Sequence, residues 1–310
     1  MFKISTLIYL FIVLCPNILY SSDNYKIIVK VNNEIVSNYD IEKEKKYLSA
    51  LNPKILNIPS DEINKIAKQS LIREIIKEKE VSKYYDVDYQ SPDLIKLAEN
   101  LYTRLNINSK EEFKIHLKKY DLDLKDVLKK LAIESNWNAF IYQKFKNLIK
   151  IDKDKIRKNL ELEYSTAKQE KLFSLSEILF SAKNQEEYED VYKKIIDTIK
   201  EKDFKSAATI YSLSDTAKFG GEIGWVSKND ISEKIYKQIL NLKVNEFTKP
   251  LKIATGFLLI SVDDIKVEER ENNLEERYNS IISNETTRQL NQHSIIYFKK
   301  IEKQSFIYEE

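Results

Sequence analysis

Phe219-Gly220-Gly221-Glu222-Ile223-Gly224-Trp225 is the stretch on which the reading of this chain turns. It holds three of the four glycines in 310 residues, and the fourth, Gly256, follows at no great distance. Glycine used so sparingly is placed for its backbone, because it tolerates positive φ and close chain approach at turns and sheet corners. Working outward, residues 171–264 read as a small α/β unit. Residues 172–180 alternate between polar bounds and predict a strand. Tyr188, Val191, Tyr192, Ile195, Ile196 and Ile199 recur at helical spacing. Asp203-Phe204 opens a second short helix that ends near Tyr211-Ser212. Beyond the glycines come a short helix over 231–242, a turn at Val244-Asn245-Glu246 and a last strand over 257–262.

The length suggests two domains with ample core. Charge is nearly balanced, 51 basic against 49 acidic residues, with no clustered basic stripe of the kind nucleic acid requires. Lys3, an apolar run over 7–14 and Pro16 read as an export leader, with an apolar core too short to span a bilayer comfortably. Residues 1–22 are therefore assigned to a signal peptide. Large Leu14 and Pro16 around Cys15 argue against a lipoprotein site. If Cys15, the sole cysteine, departs with the leader, neither a disulfide nor a thiol nucleophile is available. No later segment is apolar for long enough to be a membrane anchor.

After the leader, residues 27–31 and Ile35-Val36 flank Asn32-Asn33-Glu34 as two short strands around an Asn-rich turn. Ser37 and Asp40 supply cap chemistry for a helix to about Ala50. A long helix opens at Ser60-Asp61-Glu62, another at Ser91-Pro92, and Ser109 with Glu112 predicts a capping box. Residues 123–149 predict a helix apolar on more than one side, sandwiched between neighbours. Charged residues 150–158 lead into the α/β unit. Past Asp264, Leu274, Tyr278, Ile281, Ile282, Leu290, Tyr297 and Ile301 mark a charged helix whose seam is too narrow to fold alone.

The unit at 171–264 resembles the parvulin family of peptidyl-prolyl isomerases. The matching words are Ser176-Glu177-Ile178-Leu179, Asp203-Phe204 with Ala207-Ala208 and Tyr211-Ser212, the glycine stretch itself, Pro250, and Thr255-Gly256-Phe257-Leu258-Leu259-Ile260. The whole arrangement resembles the SurA family of periplasmic chaperones. That resemblance rests on Val31-Asn32-Asn33-Glu34-Ile35-Val36-Ser37, the helical series to Leu160 and the terminal helix over 289–301. It implies an α+β fold: a mainly helical N-terminal core over 23–164, one inserted parvulin-like α/β domain over 165–268, and a C-terminal helix over 269–310 packing on the core. There is room for one parvulin unit, where the best-known SurA architecture has two. PrsA-like foldases and PpiD-like anchored chaperones share the plan, and the missing anchor and poor lipoprotein site count against both.

Active parvulins resemble one another in a pair of facing histidines, a nearby Cys or Asp, and an apolar shelf for the proline ring. Carried over, the histidine positions fall on Glu177 and Leu258, and the Cys/Asp position on Ser214. The resemblance puts the substrate shelf at Ile231 and Ile235, with Tyr236 or Phe257 contributing. Glu177 shares a strand face with Phe173, Leu175 and Leu179, so burial is expected to raise its pKa. It is either a surviving carboxylate that orients the amide or a polar residue at a cleft edge; Ser214 has the same two readings. The only histidines, His116 and His293, lack metal-ligand spacing, with His116 at a core edge. No metal, no phosphate loop, no serine-based triad and no cofactor is indicated. Trp137 reads as core, and Trp225 as packing the glycine turn.

Two functions follow from the resemblance. One is an ATP-independent periplasmic chaperone of the Gram-negative type. Its partners are unfolded or nascent exported polypeptides, chiefly outer-membrane proteins, with no nucleic acid and no stable membrane anchor. The other is an active prolyl isomerase on the X–Pro bonds of the same clients. On export, the leader is expected to be removed near residues 21–23, as intact mass would report; a retained Met1 or a lipid on Cys15 would contradict it.

Overall fold

The structure, a computed structural model, describes residues 25–309 save 87, 88, 90, 167, 168 and 270–272, so the proposed leader lies outside the described residues. Strands β1 (Ile27–Val31) and β2 (Glu34–Ser37) form an antiparallel hairpin turning at Asn32, whose φ of 55° is one that Asn tolerates well. Ser37 then caps α1 (Asn38–Leu51). Its hydroxyl accepts from the Asp40 N–H while the Asp40 carboxylate accepts from the Ser37 N–H, a reciprocal box.

Helices α2 (Ser60–Val81), α3 (Pro92–Arg104), α4 (Lys110–Lys118) and α5 (Leu124–Phe145) complete the N-terminal series. Pro92 takes the first position of α3, where a missing N–H costs nothing. The box expected at Ser109 is only half made. Ser109 accepts from the Glu112 N–H, but the Glu112 carboxylate turns to the Asn108 N–H instead. The single helix expected over 123–149 stops at Phe145 in a short 3-10 turn, and the charged stretch after it folds as α6 (Lys153–Thr166). Its apolar anchor, Leu160, is buried, and Arg157 reaches across to Glu275 at 2.9 Å.

Strand β3 (Gln169–Phe180) begins a second, four-stranded antiparallel sheet. It is followed by α7 (Gln185–Glu201), α8 (Phe204–Tyr211), β4 (Glu222–Val226), α9 (Glu233–Ile239), β5 (Leu251–Ile253) and β6 (Gly256–Glu269), in strand order β4-β3-β6-β5. The two edge strands were not expected from the sequence, being short and glycine-broken or only three residues long. Phe173, Leu175, Leu179, Leu258, Ile260 and Val262 face one side of this sheet toward α9. Ile178, Phe180 and Leu259 face the other, under α7 and α8.

The long helix α10 (Leu274–Gln304) returns to the N-terminal helices, and β7 (Ile307–Glu309) pairs antiparallel with β1. The chain is thus α+β, mainly helical, with one α/β unit between the N-terminal helices and the returning helix. Trp137, fully buried, joins α5 to α10: its indole N–H donates to the Ser294 hydroxyl at 2.8 Å, and its ring packs with Phe140 and Tyr297. His116 donates its Nε2–H to the Ala50 carbonyl at 2.8 Å, as a core-edge residue, and His293 stacks on Phe145. Deleting the largest buried ring leaves a cavity and an orphaned hydroxyl, so Trp137→Ala is expected to cost about 3–5 kcal/mol in urea melts. A loss below about 1 kcal/mol would mean that α10 is not held through this residue.

Candidate functional site

Gly221 sets the geometry of the site. At φ +79° its carbonyl accepts from the Glu177 N–H at 2.8 Å, and its own N–H donates to the Thr216 carbonyl at 2.9 Å. A Cβ here would stand 2.2 Å from the Glu177 carbonyl oxygen, so no other residue permits the approach. Backbone bonds through one residue thereby draw β3 and the 3-10 turn Asp215–Phe219 together.

The side chains meet where the backbones do. Glu177 Oε1 accepts from the Ser214 hydroxyl at 2.6 Å and from the Thr216 hydroxyl at 3.0 Å, and the two hydroxyls are themselves 3.0 Å apart. Burial pushes the Glu177 carboxyl up from its ordinary value, and Asp215 adds to that. The two hydroxyl donors pull the other way and only partly offset it. Thr216 was not anticipated from the sequence. Its only signal was a second hydroxyl two residues past Ser214, which reads equally well as turn chemistry.

Glu177 and Leu258 lie on the same sheet face, and Leu258 is nearly buried in its apolar cluster. Ile231, Ile235 and Tyr236 pack against that cluster from α9 and the segment before it, with Tyr236 edge-on to Phe173 at 6.2 Å. Five of the residues singled out, Glu177, Leu258, Ile231, Ile235 and Tyr236, therefore share one side of the sheet, with Ser214 bonded to the first. Phe257 does not join them. It stacks on Phe180 at 5.4 Å and meets Tyr188 at 4.6 Å on the opposite face, because successive strand residues point to opposite sides. Trp225 lies exposed on edge strand β4 beneath the Lys266 ammonium at 4.4 Å.

A cleft of about 480 Å³ separates this unit from the N-terminal helices. Ser214, Asp215 and Tyr211 line one wall; Tyr47, Ile66, Leu131 and Ile133 give the other its apolar part. Its floor is ionic. Lys130 pairs with Glu44 at 2.6 Å and with Glu74, and Glu44 also accepts from Ser70 at 2.7 Å. Burial alone would lower the Lys130 pKa, and the two carboxylates more than reverse that. Such a group is satisfied internally, and removing one member strands the rest. Lys77, also buried, binds Glu134 through both carboxylate oxygens at 2.8 and 3.0 Å and lies 3.7 Å from Asp215, so it joins α2, α5 and the 3-10 turn. Among the described residues no group of three or more His, Cys, Asp or Glu side chains is placed to hold a metal ion. None of their helices is long and apolar enough to cross a membrane.

Residues 172–264 match the family model of the PPIC-type PPIASE, or rotamase, domain. The chaperone SurA of Methylococcus capsulatus is 21% identical over 262 residues, covering 82% of this chain and 57% of the relative. SurA of Pseudomonas putida is 21% identical over 163 residues, covering 50% of this chain and 38% of the relative. The chain thus spans between 38% and 57% of the length of these two curated relatives. Among solved structures, a SurA-like chaperone of Campylobacter jejuni is 16% identical, covering 92% of this chain and 99% of the other, with a TM-score of 0.35. The α/β unit is a parvulin-type domain. The chain that carries it is SurA-like.

Because the Glu177 pKa is raised, the folded state binds its proton more tightly than the unfolded state does. The stability this contributes is full below the ordinary 4.5 and is lost as pH rises through the folded value. Glu177→Gln keeps the acceptor oxygen and removes the charge. Its melting temperature is expected to gain on that of the wild type progressively from pH 4.5 upward; a difference that does not vary with pH would show that the carboxyl is not desolvated.

Proposed function

We propose that this chain is an ATP-independent periplasmic chaperone that holds unfolded exported polypeptides, chiefly outer-membrane proteins, and that its parvulin-type unit has weak or lost isomerase activity. The observation that carries the reading is the replacement at the site. A carboxylate with two hydroxyl donors stands at Glu177, and a nearly buried aliphatic side chain stands at Leu258, where the family pairs two histidines. Twisting an X–Pro amide meets a barrier of about 18–20 kcal/mol, and lowering it requires polar groups preorganised around the twisted bond. An apolar shelf with one polar wall keeps the means to bind such a segment while losing half of the means to twist it.

The cleft supports the holding role. An unfolded barrel strand alternates apolar and polar side chains. A cleft with one partly apolar wall and a satisfied ionic floor covers one edge of such a segment and leaves the other in water. Several modest contacts along one chain give useful affinity by effective concentration and still let go without ATP. The likeness to SurA chaperones over most of this chain supports the same reading. A second reading, an active isomerase, is favoured by the Glu177–Ser214–Thr216 group, which presents a carboxyl whose pKa burial raises on the face that carries the shelf.

The test follows aggregation of a urea-unfolded outer-membrane barrel protein by light scattering after dilution. The full chain is expected to suppress it. So is a variant with residues 168–266 replaced by a flexible linker, which is expected to remain helical and to melt cooperatively. Turnover of a proline-containing tetrapeptide is expected to be weak or undetectable. If the chain neither suppresses aggregation nor binds the unfolded client, while prolyl turnover matches that of an active parvulin, the isomerase reading replaces this one.

A further inference from the structure

The apolar cluster beneath the shelf already carries a residue of α10. Ile295 of α10 is half-buried against the cluster that contains Leu258, the same cluster on which Ile231, Ile235 and Tyr236 pack. Its neighbours on the helix turn elsewhere: Ser294 takes the Trp137 indole N–H, and Tyr297 and Phe298 pack into the N-terminal core. One residue of α10 thus projects into the parvulin-type unit while those on either side of it hold the helix to the other core.

We propose that α10 is an internal competitor for the shelf: Ile295 takes the place of a client's proline or other apolar side chain, and the parvulin-type unit must move off α10 before it can hold a peptide there. The inference rests on the reading of the shelf as a peptide site.

The helix is fastened unequally at the two ends of this contact. At one end Arg277 pairs with Asp230 at 2.6 Å and also binds Ser227, and Asn284 donates to the other Asp230 oxygen at 2.9 Å. Asp230, its side chain mostly buried, is held charged: burial would raise its pKa, and its donors, Arg277 foremost, lower it overall. Asn229 and Lys228 of the same turn bind Glu163 of α6. At the other end, about 33 Å along the helix axis, the fastening is a bond from the Lys299 ammonium to the Thr255 carbonyl at 3.1 Å. Lys299 is partly desolvated, and among the described residues no carboxylate bonds to it and the buried Thr255 hydroxyl has no partner. A cation leaving a neutral carbonyl for water gives up little, and the Thr255 hydroxyl gains a partner when water enters. The turn Lys228–Asp230 is the pivot, and the β5–β6 end is where the unit lifts away.

The arithmetic of an internal competitor is that of a partly populated competent state, whose apparent affinity falls by the fraction that is open. Ile295→Ala shrinks the competitor and leaves both fastenings in place. Ile295→Arg expels it. In the full chain, Ile295→Ala is expected to tighten binding of a fluorescent Ala-Ala-Pro-Phe peptide about fivefold, with Ile295→Arg tightening it further. Adding Ile235→Asn to the Ile295→Ala chain is expected to abolish the gain. If Ile295→Ala keeps its wild-type melting temperature and binds no tighter, or if its gain survives Ile235→Asn, the proposal is overturned. Aggregation suppression by the wild-type chain, measured in parallel, separates the two readings. Its loss sinks the chaperone function, whereas an unchanged peptide affinity with suppression intact sinks only the competition at the shelf.

Discussion

The contact between Trp137 and α10 is the one on which both cores depend. A fully buried indole must satisfy its single N–H, and Ser294 is the residue that does so. That bond fixes the rotation of a 31-residue helix about its axis. With rotation fixed, Tyr297 and Phe298 face the N-terminal helices, and Ile295 faces the sheet of the parvulin-type unit. The Tyr297 hydroxyl adds a bond to the Glu80 carboxylate at 2.6 Å, which locks the same rotation from α2. A helix with polar residues on most of its surface finds stability in this way through two unlike neighbours, since neither seam is broad enough by itself.

Within the parvulin-type unit the corresponding constraint is steric. Gly221 has room for a hydrogen atom and nothing larger, and this lets β3 carry its Glu177 carboxylate up to the hydroxyls of Ser214 and Thr216. The chemistry there differs in kind from a pair of imidazoles. Imidazole both donates and accepts near neutral pH, whereas an ionised carboxylate only accepts. Burial moves Glu177 toward the protonated form, which recovers a donor. Across the strand pair, Leu179 and Leu258 offer only surface to pack on.

What could be read in the sequence was whatever depends on short-range pattern. The glycine stretch, the alternation over 172–180 and the helical spacing from Tyr188 to Ile199 were enough to draw the α/β unit, and Trp137 was legible as core from its helical face. The shared face of Glu177 and Leu175 followed from strand alternation. Strand β5 escaped, and the charged helix α6 was legible only as the end of the helical series to Leu160, because their signal lies in partners remote in the chain: Leu251–Ile253 is too short to show a period, and Leu160 is apolar among charges until α10 is beside it. Thr216 escaped because a hydroxyl near a turn has many uses and only the fold chooses among them. Ile295 could be seen as apolar, but which core it served could not be, since residues one apart on a helix face about 100° apart.

Strand β7 carries a consequence for how such a chain comes into being. Ile307–Glu309 completes the sheet by pairing with β1, and Glu309 reaches Lys68 at 2.6 Å. The hairpin of β1 and β2 thus waits for a partner that begins only at Ile307. Long-range pairing of this kind is slow, since the closing of the intervening loop must come first. Until it closes, one side of β1 presents unpaired amides, and Val29 and Val31 lack part of their cover. During its own synthesis the protein therefore passes through the condition of an unfinished sheet with an open edge.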